Sequence, residues 1–67
     1  MPKEKIDQNQ HKTKAAQIWV SMNHSEQTGV RFGMFPVMMV VAAENEGFNG
    51  HEICRSLMAV AKEQEKS

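Results

Sequence analysis

A chain of 67 residues makes one small domain at most, and a fold of this size buries only about 60 % of the surface its unfolded chain exposes. One cysteine, Cys54, excludes an intrachain disulfide, and the metal-capable side chains fall short of a ligand set, so a partner chain is the expected source of added stability. Eight basic and eight acidic residues cancel to zero, which alone argues neither for nucleic acid nor against it.

The charge is unevenly placed. Residues 1–24 carry Lys3, Lys5, Lys12 and Lys14 against Glu4 and Asp7, whereas residues 25–67 are net acidic. Residues 1–14 hold a single aliphatic side chain after the initiator, Ile6, and are expected to be a flexible, mildly basic arm ahead of one domain over 15–66. The N-terminus has no apolar stretch of signal-peptide type. The longest apolar run, Val37 to Ala43, is far short of the roughly 18 residues of a membrane span. The expected location is cytoplasmic.

From Ala16 to Asn23 apolar and polar residues alternate, with Ala16, Ile18, Val20 and Met22 on one side and Gln17, Trp19, Ser21 and Asn23 on the other. Period two with β-branched and aromatic residues predicts a half-buried strand. His24 to Gly29 is polar and ends in glycine, as a turn would. Val30 to Phe35 alternates again and fits a second strand; it also fits the beginning of a helix, against which Gly29, Gly33 and Pro36 all count.

Pro36 suits the first position of a helix, because its missing N–H is not needed there. Val37 to Ala43 is apolar on every side, compatible with a helix or a buried strand, and the following Glu-Asn-Glu-Gly favours a helix capped by Gly47. Asn49 with Glu52 three residues later is a helix-start pair, and Ile53, Leu57 and Val60 or Ala61 mark one face of a helix from about 50 to 64. The expected class is therefore α+β: one or two N-terminal strands followed by a two-helix hairpin.

His51 and Cys54 stand one helical turn apart, yet two ligands do not make a zinc site, and no base–nucleophile pair has a pocket around it. No metal, no cofactor, no small-molecule substrate and no enzymatic activity are expected. The six methionines and Trp19, Phe32, Met34 and Phe35 offer an alternative chemistry: an apolar surface that anchors a host protein, as a small adaptor or inhibitor would.

The segment from Ala42 to Gln64 resembles the helix pair of Arc-type ribbon-helix-helix repressors. Ala42-Ala43-Glu44-Asn45 precedes the turn, six residues separate Asn45 from Glu52-Ile53, and Leu57, Met58 and Val60 follow. The resemblance implies an intertwined homodimer whose paired strands enter the DNA major groove as a transcriptional regulator. It places Gln17, Trp19, Ser21 and Asn23 against base edges. Asn49 and Gly50 would meet phosphate at a helix start, with Lys12, Lys14 and Arg31 adding charge. In that family the first helix follows the ribbon almost at once, whereas twelve residues separate Asn23 from Pro36 here.

Overall fold

The computed structural model describes residues 6–65, and these form four helices: α1 (Gln8–Ser21), α2 (His24–Arg31), α3 (Val37–Asn45) and α4 (Gly50–Glu65). No strand occurs among the described residues. The expected α+β class is thus overturned, and with it the intermolecular ribbon and the ribbon-helix-helix architecture.

The segment from Ala16 to Asn23 is mostly the second half of α1. Its short alternation is a fragment of a longer pattern: His11, Ala15, Ile18, Trp19 and Met22 recur three or four residues apart, and all five are buried. Local helix-start chemistry adds to this. The Asp7 carboxylate accepts from the Gln10 N–H at 2.9 Å, while the Asp7 N–H donates to the Gln10 side chain at 2.9 Å. This reciprocal box satisfies two donors that the first turn would otherwise leave open. Gln8 to Lys14 of the expected arm accordingly lie in α1, while its residues 1–5 fall outside the described residues.

The polar stretch from His24 is a helix for the same reason. Asn23 is its N-cap, accepting from the Glu26 N–H at 2.8 Å and donating its own N–H to the Glu26 carboxylate at 2.9 Å. Val30 and Arg31, expected at the head of a second strand, close α2. Beyond them Phe32 and Met34 both donate their N–H to the Gly29 carbonyl at 2.9 Å, and Gly33 takes the left-handed backbone (φ 83°) that this tight reversal requires.

Pro36 stands just before α3 rather than inside it, its carbonyl accepting from the Met39 and Val40 N–H groups at 3.0 Å. At the other end Gly47 (φ 106°) reverses the chain. The Phe48 N–H reaches back to the Ala43 carbonyl at 3.1 Å and the Gly47 N–H to the Glu44 carbonyl at 3.0 Å, a Schellman closure. Asn49 then caps α4, its side chain accepting from the Glu52 N–H at 3.2 Å.

Helix α4 is the hub. Helices α1, α2 and α3 each make their main interhelical packing on it, and its Ile53 and Leu57 are fully buried. Around them gather Ala15, Ile18, Trp19, Met22, Val30, Ala43, Val60 and Ala61, with Phe35, Met39, Val40, Phe48 and Met58 at the margin. One polar side chain joins the layers. The buried His11 receives the Asn49 N–H on Nε2 at 3.0 Å and donates from Nδ1 to the Asp7 carbonyl at 2.8 Å, which fixes the proton on Nδ1. Its ring meets Phe48 edge to face at 5.4 Å.

Candidate protein-binding surface

Helix α3 is short and apolar on all sides from Val37 to Ala43, and α4 covers only part of it. Ala43 is buried and Met39 and Val40 are half-buried, which uses the side facing the core. The remaining large side chains are exposed, Val37 to 70 %, Met38 to 82 % and Val41 to 43 %. The reversal before α3 presents Phe32 (77 % exposed) and Met34 (65 %) in the same stretch of chain. Single exposed hydrophobics such as Val20 on α1 are ordinary; five large ones within ten residues are not.

The surroundings of this elbow are equally specific. From Phe32 to Ala43 no residue carries a charge, and the stretch is bounded by Arg31 and Glu44. The Arg31 guanidinium lies 5.6 Å from the Trp19 ring centre, its Nε is buried without a hydrogen-bond partner, and no carboxylate among the described residues pairs with it. Glu44, in line with Val37 and Val41 at helical spacing, has no cationic partner among the described residues either. Its carboxylate lies over Gly50 at the start of α4, in the space that a side chain there would occupy.

Shallow grooves flank α3. On one side Ile18, Met39, Ala42 and Ala43 floor a depression of about 240 Å³ rimmed by Lys14, Gln17 and Ser21. On the other, Val40, Glu44, Gly50, His51 and Cys54 line an open depression of about 200 Å³. Burial pushes the Cys54 thiol up from its ordinary 9.0, and the negative charge of Glu44 adds to the effect. Both effects act against the thiolate form.

The residues assigned to DNA bases do not form one face. Trp19 is buried in the core, Asn23 spends its side chain capping α2, and the Ser21 hydroxyl donates to the Gln17 carbonyl at 3.0 Å. Gln17 and Ser21 share the exposed side of α1. Lys14 pairs with Glu46 at 3.0 Å and lies 5.8 Å from the Phe48 ring, Lys12 approaches Glu63 at 3.8 Å, and the Asn49 N–H is taken by His11. The alternative protein-binding set divides differently: Phe32 and Met34 are exposed, Phe35 is half-buried and Trp19 is interior. His51 is exposed and Cys54 half-buried, and no group of three metal-capable side chains occurs among the described residues.

Val37, Met38 and Val41 complete the surface and were not singled out from the sequence as contact residues. The available signal was the run itself, since a helix apolar all round must be either fully enclosed or covered by something else. A chain of this length lacks the layers to enclose it. Among the described residues no helix is long and apolar enough to cross a membrane. Comparison with known proteins finds no matching family model, no matching characterised protein and no matching solved structure.

Proposed function

We propose that the chain is a small helical protein-binding module that works through the elbow made by Phe32, Met34 and the outward side of α3. The observation that carries this reading is the concentration of exposed apolar surface on one uncharged stretch while a separate, well-formed core sits on α4. Burying a Val, Met or Phe side chain contributes about 1.5–3 kcal/mol gross, so five contribute on the order of 10 kcal/mol. That is enough to offset much of the roughly 4–15 kcal/mol that association costs in lost freedom. The methionines suit the role, because their unbranched side chains adapt to the contour of a partner.

A photo-crosslinking amino acid placed at Met38 in the producing cell tests the reading, with Ser25 on the exposed polar side of α2 as control. Covalent protein adducts should form from position 38 and not from 25, and Val41→Lys should abolish them. No adducts at 38, or equal adducts at both positions, would refute the assignment.

A further inference from the structure

We infer that the partner seated on this elbow is a second copy of the same chain, packed with its α3 antiparallel to the first; the inference rests on the protein-binding reading and names the occupant. Three features of the surface are self-complementary. The first is charge. Arg31 stands at the N-terminal end of the apolar stretch and Glu44 at its C-terminal end, and each lacks an oppositely charged partner among the described residues. An antiparallel pairing of two α3 helices brings the N-terminal end of one onto the C-terminal end of the other. Arg31 of each copy then meets Glu44 of its mate, and the contact is made twice by symmetry.

The second feature is what lies between. A two-fold axis brings each residue near it against its own image, so any charge there repels itself. Residues 32–43 carry none, and Met38 and Val41 occupy the middle of the stretch, with exposed Ala42 beside them allowing close approach of the two helices. Pairing Arg31 with Glu44 sets the two-fold between Val37 and Met38, so that Val37 of one copy lies toward Met38 of the other and Val41 toward Met34.

The third feature is extent. The five exposed side chains present on the order of 600 Å² of surface, at the upper end of what a monomer ordinarily leaves uncovered. With Arg31, Ala42, Glu44 and Asn45 at the margin the area approaches the roughly 800 Å² per partner of a standard stable interface.

Sedimentation equilibrium of the purified full chain, from about 1 to 200 µM, provides the test, with far-UV circular dichroism confirming the helical fold of each variant. The wild type should show a reversible monomer–dimer equilibrium, and Val41→Lys should leave it monomeric. Glu44→Arg and Arg31→Glu should each weaken association by tenfold or more, while the double variant should recover to within a few fold of wild type. Glu44→Arg changes an exposed side chain, so it decides the charge pairing even where Arg31→Glu, which removes the cover from Trp19, fails to fold. A wild type that is monomeric throughout overturns the inference, as does a dimer indifferent to Val41→Lys and Glu44→Arg. The crosslinking at Met38 separates this failure from that of the underlying reading. A monomer that still forms adducts at 38 with another protein loses only the second copy, and a monomer that forms none loses both.

Discussion

Replacing His11 by phenylalanine asks how much of this small fold depends on one polar bridge. The ring is buried between the start of α1 and the start of α4, and both nitrogens are engaged. His11→Phe keeps the ring and its edge contact with Phe48 while deleting both side-chain hydrogen bonds. The Asp7 carbonyl still accepts the backbone N–H of residue 11 at 3.2 Å, so its loss is limited to about 0.5–1 kcal/mol. The Asn49 N–H is the larger matter, since a part-buried donor left without a partner costs about 1–3 kcal/mol. One rescue is available. Glu52 stands where the reciprocal half of a capping box would come from, and its Oε1 is buried without a partner, because His11 has taken the Asn49 N–H. In His11→Phe the Glu52 carboxylate can turn to that N–H, reducing the total to about 1–2 kcal/mol; with Glu52→Ala added, the loss attributable to His11 should rise to about 2–4 kcal/mol. Urea denaturation followed by circular dichroism at fixed protein concentration measures both. If His11→Phe costs under about 0.5 kcal/mol in both backgrounds, the bridge is not structural and the reasoning fails.

Three further outcomes are expected. Leu57→Ala, at a fully buried position on the hub helix, should destabilise by about 2–5 kcal/mol, whereas Met38→Ala, on the uncovered side of α3, should shift the unfolding of the monomeric Val41→Lys background by under about 0.5 kcal/mol in the same urea assay. The raised Cys54 thiol predicts slow alkylation by iodoacetamide at neutral pH, and Glu44→Gln should quicken it. In the linkage the unfolded chain gives up its thiol proton before the folded one, so stability should fall as pH rises past 9.0 and Cys54→Ser should remove that slope, read by urea melts across the alkaline range.

The second half of the chain was readable because its signals are local. Gly47 must reverse the backbone, Asn49 and Glu52 mark a helix start, and Ile53, Leu57, Val60 and Ala61 repeat at helical spacing along α4. The first half misled because an eight-residue window around Trp19 fits period two, and only the wider set from His11 to Met22 reveals the helical spacing. Two capping boxes, Asp7 with Gln10 and Asn23 with Glu26, were present as S/T/D/N-x-x-E/Q-type pairs and outweighed the β-branched residues around Trp19 and the glycine within α2. The role of His11 was beyond the sequence, since its partner at Asn49 is 38 residues away. As to the surface, Phe32 and Met34 were nameable from composition, but which side of Val37 to Ala43 faces out depends on where α4 lies.

The placement of α4 bears on how the molecule is made. Because α1, α2 and α3 each dock chiefly on the helix that follows them, a ribosome must deliver nearly the whole described chain before any of them gains its proper neighbour. The extensive α1–α4 contact closes a long loop, which slows folding relative to a bundle built from adjacent pairs. The apolar run from Val37 to Ala43 is made before the helix it packs on, and until α4 docks it is the segment most exposed to aggregation.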